Sequence, residues 1–245
     1  MFVSDGGIQL SIVLEKPEGA GRCPLVILLH GFTSAKDRPH TILAAEAMRK
    51  AGFATIRMDL YGHGESGGAF RDHTIRKWVS NVMAVAGYAR SLDFVTDIYL
   101  SGHSQGGLVA ALAAGAEPDR FAGLILRAPA FMIPQGAREG CLLGYRFDPK
   151  HVPESVPLYD GLELGGGYIC DAQAIDAEEA VRRFKGPVLI LHGDLDDTVP
   201  VEESVRAASG YARCELEVIT GETHHFDRHP EEMMRLIQNY CNKHR

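Results

Sequence analysis

Ser104 lies in the run Gly102-His103-Ser104-Gln105-Gly106, directly after the apolar stretch Ile98 to Leu100 and directly before a helical stripe that begins at Gln105. A serine at this spacing suits a nucleophile. A sharp strand-to-helix turn holds its side chain strained and exposed at the top of a sheet, and only small neighbours such as Gly102 and Gly106 permit the close approach. A serine acting only as a helix N-cap would not require both glycines. A serine alcohol attacks poorly unless a base takes its proton and a third group orients that base. In such folds the nucleophile precedes an acid, which precedes a histidine. The chain supplies both in that order, in His192-Gly193-Asp194-Leu195-Asp196-Asp197-Thr198-Val199-Pro200 and in Gly221-Glu222-Thr223-His224-His225-Phe226. Each run follows an apolar stretch, so each sits where a strand's carboxyl end would deliver it toward Ser104.

Three acids compete to orient the base: Asp194, Asp196 and Asp197. Asp196, the fifth residue of the His-Gly-x-x-Asp run, is favoured, with Asp197 its main rival as an exposed turn residue or the N-cap of a helix opened near Pro200. His224 is favoured over His225 because Gly-x-x-His leaves a short loop after the strand. A metal site built from His224, His225 and His229 lacks an acidic or cysteine partner at ligand spacing. Acyl transfer also needs donors aimed at the oxygen that becomes negative. His30-Gly31-Phe32-Thr33 follows the apolar run Leu25 to Leu29, so the main-chain amides of Phe32 and Gln105 are the candidate oxyanion hole. His30 reads as a hydrogen-bonding residue rather than a second base. Asp59 to Gly68 is glycine-rich but lacks the lysine of a phosphate-binding loop and a third glycine in dinucleotide register. It reads as a tight turn. Trp78, Met58, Met83 and Met132 are assigned to core or pocket wall.

These loops need a scaffold. Leu25 to Leu29, Ala54 to Met58, Ile98 to Leu100, Gly123 to Leu126, Val188 to Leu191 and Leu216 to Ile219 are short, nearly continuous apolar runs that predict strands covered on both faces. Between them, Leu43 to Ala51, Lys77 to Arg90, Gln105 to Gly115, Ser204 to Ser209 and Glu231 to Asn242 carry helical spacing. The alternation predicts an α/β fold with a doubly wound, mostly parallel sheet and an antiparallel edge near Met1 to Leu14. One domain spans residues 1–245. Its rhythm fails between Phe131 and Asp176, where prolines and Gly165-Gly166-Gly167 leave no helical stripe. Residues 131–176 are expected to be a lid inserted over one end of the sheet.

Composition narrows the partners. With 25 basic and 32 acidic residues the net charge is −7, a poor basis for gripping phosphate backbones, so neither nucleic acid nor membrane is expected. The five cysteines are an odd number without a Cys-x-x-Cys pair, which favours free thiols in a reducing, cytoplasmic setting. No signal peptide or membrane span is evident from the apolar patterning.

Taken together these runs resemble the α/β-hydrolase superfamily, and within it bacterial cinnamoyl (feruloyl) esterases. The segments that carry the resemblance are His30 to Thr33, Tyr61 to Ser66, Asp72-His73-Thr74, Leu92 to Asp97, Gly102 to Gly107, Pro129 to Pro134 and His192 to Asp196. It implies a serine esterase with an α/β-hydrolase fold, Ser104, Asp196 and His224 as triad, and Phe32 and Gln105 as oxyanion hole. It also implies a small lid whose aromatic residues enclose a flat hydroxycinnamoyl group. Tyr168 is expected there as a hydroxyl donor and Tyr159 as an aromatic wall, with His30 and His103 beside the substrate. No cofactor or metal is implied. The expected partners are a small aromatic ester and, at most, a second copy of the chain in a homodimer. Leu142 and Leu143, in the middle of the insertion, depart from the polar residues such esterases place around the phenolic end.

Overall fold

The computed structural model describes all 245 residues, Met1 to Arg245. The chain opens with a hairpin, β1 (Phe2–Asp5) and β2 (Ile8–Glu15), and continues through β3 (Cys23–Leu29), α1 (Pro39–Lys50), β4 (Ala54–Met58), α2 (Ile75–Arg90), β5 (Val95–His103), α3 (Gln105–Ala116) and β6 (Gly123–Arg127). Next come α4 (Ile133–Glu139), the short strands β7 (Cys141–Leu142), β8 (Tyr145–Arg146), β9 (Ser155–Pro157) and β10 (Glu163–Gly165), then α5 (Gly166–Gln173) and α6 (Ala177–Arg183). It closes with β11 (Val188–Gly193), α7 (Val201–Gly210), β12 (Cys214–Ile219) and α8 (Pro230–His244).

Eight strands form one sheet in the order β1-β2-β4-β3-β5-β6-β11-β12. The β1–β2 and β2–β4 pairs are antiparallel and the others parallel. Every residue of β3, β4, β6 and β11 is buried, the outcome expected of continuous Val/Ile/Leu runs sandwiched between helix layers. α1 and α8 cover one face, and α2 and α3 contribute to the apolar cluster on the other. The chain steps from β3 to β4 on one side and then returns to β5 on the other, so the strand order reverses between β3 and β5. Open α/β sheets bind ligands outside the carboxyl ends of the strands at such a reversal. Leu29 and Gly102 pair there, which brings the loops after both strands side by side.

Between Phe131 and Asp176 the sequence offers no helical stripe, yet α4 and α5 lie there. The residues that looked like breakers act as helix ends. Pro134 occupies the first turn of α4, where a missing N–H costs nothing, and Gly140 closes it in the left-handed conformation with φ 73°. The β9–β10 ribbon carries Glu154 and Glu163 toward Arg71 at 2.6 and 3.2 Å. α5 is held by the half-exposed Arg76, whose amide donates to Asp171 Oδ2 at 2.9 Å. No helix is long and apolar enough to cross a membrane.

A buried ion pair secures the loop after β3. Asp59 is fully buried, and its carboxylate accepts from the Lys36 amide at 2.8 Å, from Lys36 Nζ at 2.7 Å and from the Glu65 amide at 2.9 Å. Burial alone would raise this carboxyl. The amide of Glu65 and both Lys36 donors overcome that effect and hold it below its ordinary range. Lys36 Nζ also meets Glu65 at 2.6 Å, so Asp59→Ala leaves that cation partly paired while unpairing the loop amides, and is expected to cost about 1 to 3 kcal/mol in urea unfolding. A folded-state carboxyl held low contributes stability that is complete above the unfolded value, near pH 4 or about that, and is lost as pH falls through the folded value. Parent and variant stabilities should therefore converge in acid, and curves that stay apart there would show that the charge is not the cause.

Candidate active site

Ser104 stands between β5 and α3 at φ 55° and ψ −122°, a conformation non-glycine residues rarely adopt. The turn is clamped from both ends: the Ser104 amide donates to Arg127 O at 2.9 Å, and its carbonyl accepts from Gly107 and Ala130 at 2.9 and 3.1 Å. A Cβ on Gly102 would lie 2.1 Å from Gly106 O, and one on Gly106 would lie 2.4 Å from His30 O. The glycines are required because backbone passes against backbone at both places. The Ser104 hydroxyl lines a cavity of about 1150 Å³ that also touches His103, Gln105 and His224.

Asp196 and His224 meet across the loops after β11 and β12. The His224 Nδ1–H donates to Asp196 Oδ2 at 2.7 Å, which leaves Nε2 as the basic nitrogen. The amides of Thr198 and Val199 donate to Asp196 Oδ1 at 2.9 and 2.8 Å, and the carboxylate is itself buried. Its burial alone would raise the carboxyl, but hydrogen bonds from His192, His224 and the Val199 amide hold it well below the usual carboxylate range. The competing acids have other partners. Asp197 is exposed and takes the Thr198 hydroxyl at 3.2 Å, while Asp194 accepts the Gly221 amide at 2.6 Å and ties the two loops together. His225 is exposed on the cavity wall. No group of His, Cys, Asp and Glu in the chain is arranged to hold a metal ion.

Two groups steady the histidine loop. His103 is buried and its Nε2–H donates to the His224 carbonyl at 2.8 Å. Burial, followed by its neighbours His40, His224 and Arg127, pushes this imidazole well below its ordinary value, so it is a neutral brace. Glu222 was not singled out by sequence reasoning. It is fully buried, and its carboxylate collects the amides of Thr223 at 2.7 Å, Arg228 at 3.1 Å and His229 at 2.7 Å at the start of α8. An acid in the loop that leads into a proline-initiated helix is the one signal that could have marked it.

The Phe32 amide makes no hydrogen bond within the chain and lies beside the Thr33 backbone at φ 52°. That free donor, on the loop secured by Lys36 and Asp59, and the first amide of α3 at Gln105 flank Ser104 at the reversal point of the sheet. Tyr159 is 57% exposed, lines the cavity, and its hydroxyl shares a 2.6 Å hydrogen bond with Thr33 Oγ1. Tyr168 and His30, both expected beside the substrate, do not line the cavity. Tyr168 is 1% exposed, its ring lies near Phe32 and His73, and its hydroxyl donates to Gln105 Oε1 at 2.8 Å. His30 is fully buried, accepts from the Leu60 amide at 3.0 Å through Nε2, and donates to Gly31 O at 2.8 Å through Nδ1. Burial, then His63, lowers its imidazole to about 3. Both residues pack behind the loop that lines the cavity, one layer away from it. The cavity wall is apolar where 131–176 contributes Met132, Ile133, Leu142 and Leu143, and polar where Arg38, His40, Asp197, His225 and Asp227 contribute.

Comparison with known proteins places this geometry in context. The family described as serine aminopeptidase S33, Hydrolase_4, matches residues 22–157. A structure of Est1E from Butyrivibrio proteoclasticus with ferulic acid bound is 44% identical, covers 100% of this chain and 98% of that one, and superimposes with a TM-score of 0.98. Mitochondrial palmitoyl-protein thioesterase ABHD10 of Mus musculus is 25% identical over 213 residues, 81% of this chain and 67% of that protein. The monoacylglycerol lipase of Mycolicibacterium smegmatis is 24% identical over 198 residues, covering 79% of this chain and 65% of its own length. The chain thus spans about two thirds of the length of these curated relatives.

Geometry separates the two adjacent acids. Asp196→Asn is expected to lower ester turnover by on the order of 10⁴, and Asp197→Asn to leave it near the parent value; the reverse ranking of measured kcat would reassign the orienting acid. Tyr168→Phe keeps the ring packing and removes only the bond to Gln105, so it is expected to lower kcat while leaving KM nearly unchanged. A rise in KM alone would mean that the hydroxyl contacts substrate after all.

Proposed function

The chain belongs to the serine aminopeptidase S33 family of α/β-hydrolases and is a carboxylic ester hydrolase, and we propose that it releases hydroxycinnamic acids such as ferulate, caffeate and p-coumarate from their esters. The observation that carries the substrate reading is the end-to-end likeness, at 44% identity, to Est1E, whose structure holds ferulic acid. Residues 131–176 are read as a lid within one domain. Its apolar wall of Met132, Ile133, Leu142 and Leu143 suits the flat acyl group, and the exposed ring of Tyr159 stands at the rim.

In this reading His224 Nε2 takes the Ser104 proton as Ser104 Oγ attacks the ester carbonyl. The carbonyl oxygen, now negative, is met by the amides of Phe32 and Gln105. The tetrahedral intermediate collapses, His224 returns the proton to the departing alcohol, and the acyl group stays on Ser104. Water then attacks that acyl ester with His224 again as base, and the acid leaves. Asp196 keeps Nε2 unprotonated at the start of each half and offsets the charge that His224 gains. Support comes from the 2.7 Å bond between His224 Nδ1 and Asp196 and from the strained backbone of Ser104. Ser104 Oγ has no hydrogen bond within the chain, and catalytic bonds of this kind often tighten only around substrate.

A second reading has its own observation. The curated relatives include a palmitoyl-protein thioesterase and a monoacylglycerol lipase, and the same apolar wall offers no charged partner to a phenolic hydroxyl. Lipid acyl esters or thioesters are therefore the competing substrates. A turnover panel of methyl ferulate, methyl caffeate, short aliphatic esters and a long-chain ester separates the readings. Hydroxycinnamates are expected to lead in kcat/KM, and aliphatic esters far ahead would sink the substrate claim. Ser104→Ala is expected to lose on the order of 10⁶ in kcat while folding normally. Because the Asp196 carboxyl is held low, it stays ionised through the mildly acid range, so kcat/KM should show no loss there with the slope of two protons; a two-proton limb would show that Asp196 is not the carboxylate held at the site.

A further inference from the structure

Asp196 faces a second histidine. His192, near the carboxyl end of strand β11, is fully buried, and its Nε2 lies 3.2 Å from Asp196 Oδ2, the oxygen that accepts from His224. The same Nε2 lies 2.9 Å from Val199 O, and Nδ1 lies 2.6 Å from Ser204 Oγ. A carbonyl and a carboxylate can only accept, so the Nε2 proton is fixed by its neighbours. Nδ1 then presents its lone pair to the Ser204 hydroxyl, which donates. Ser204 is fully buried near the start of α7. Asp196 thus accepts the amides of Thr198 and Val199 on Oδ1 and the His224 N–H on Oδ2, and the His192 Nε2–H, bonded to Val199 O, lies beside that same oxygen.

We propose that His192, whose Nε2–H is fixed by Val199 and Asp196 and whose Nδ1 takes the Ser204 hydroxyl, is a positioning residue of the hydrolytic site, orienting Asp196 and drawing charge from the oxygen that faces His224. The inference rests on the reading of Ser104, Asp196 and His224 as the hydrolytic machinery. Its physical content is one negative charge that faces two N–H dipoles, the bonded one of His224 and the flanking one of His192. The more of it His192 takes, the less tightly Asp196 holds the imidazolium form of His224. Other ionisable groups nearby are engaged elsewhere. On α7, Glu203 pairs with Arg206 at 2.6 Å; on β6, Arg127 donates to His40 O at 3.0 Å; Asp194 and Glu222 accept main-chain amides. His103 braces the His224 carbonyl, His40 packs against His103, and Asp197 and His225 are exposed at the cavity. Asp196 is the one carboxylate within ion-pair distance of His192.

The experiment follows hydrolysis of p-nitrophenyl acetate across pH in the parent and in His192→Leu, His192→Gln and Ser204→Ala, with thermal melting measured alongside. His192→Leu fills the space without the donor. It is expected to lower kcat about tenfold to a hundredfold with KM near the parent's, and to move the acid limb upward by about half a pH unit or more. The Gln amide can reach the place of Nε2 and is expected to restore the limb. Ser204→Ala, which removes the donor on Nδ1 and so weakens the Nε2–H dipole while keeping the ring, should move the limb part of the way. A wild-type limb and kcat in folded Ser204→Ala together with a wild-type limb in His192→Leu would overturn the proposal, and Ser204→Ala alone decides if the Leu variant does not fold. A parent protein that neither hydrolyses p-nitrophenyl acetate nor is labelled at Ser104 by an aryl phosphonate overturns the hydrolytic reading itself. A parent active on p-nitrophenyl acetate but idle on methyl ferulate removes only the hydroxycinnamate assignment, and the pH comparison among variants still decides the role of His192.

Discussion

The backbone at Ser104 turns from strand to helix within one residue, and most of the surrounding construction serves that turn. A positive φ on a serine is costly, on the order of 1 to 3 kcal/mol, and it persists only where neighbouring structure leaves no alternative. Here the amide of Ser104 is held by β6 and its carbonyl by α3 and Ala130. The first turn of α3 presses so closely on the ends of β3 and β5 that no side chain fits at Gly102 or Gly106. That contact also sets the distance between the loops after β3 and β5. The reversal of strand order therefore creates the site, and the close approach at the glycines keeps it in shape.

Each loop that surrounds Ser104 is fixed by a buried carboxylate that gathers main-chain amides. Asp59 takes the Lys36 and Glu65 amides behind the Phe32 loop, Asp196 takes those of Thr198 and Val199, and Glu222 takes those of Thr223, Arg228 and His229 behind His224. A buried carboxylate is unfavourable alone, and amides from an irregular loop are likewise unfavourable when unpaired. Placing one against the other satisfies both and makes the loop rigid without regular secondary structure. Of the three, Asp196 differs in reserving one oxygen for imidazoles.

The scaffold was largely legible because burial on both sides of a parallel sheet leaves a strong imprint on sequence. The stretch Ala54 to Met58 matches β4 at both ends, and Gln105 to Gly115 falls one residue short of α3. Strand β5 is longer than its apolar run because Val95 to Asp97 lie toward the exposed end and His103 is polar though buried. α4 and α5 escaped notice because their prolines and glycines sit at helix ends, where sequence patterns alone cannot tell a cap from a break. The residues proposed to bear the chemistry were picked out through order and spacing, with the Ser, Asp, His succession narrowing the search. His192, Ser204 and Glu222 were not, since their significance lies in burial and in hydrogen bonds that spacing does not encode. Tyr168 was expected to donate its hydroxyl, and it does, but to Gln105 rather than into the cavity.

That bond gives the 131–176 segment two attachments to the groups around Ser104, since Tyr159 also meets Thr33 next to Phe32. Where a covering segment merely roofs a cavity, evolution can exchange it to change diet and leave the chemistry untouched. On the proposed lid reading, roof and floor in this chain are tied by two side-chain hydrogen bonds. A graft of this segment between relatives would carry rate with it as well as selectivity, and the sequences that can drift freely here are those that preserve both tyrosine anchors.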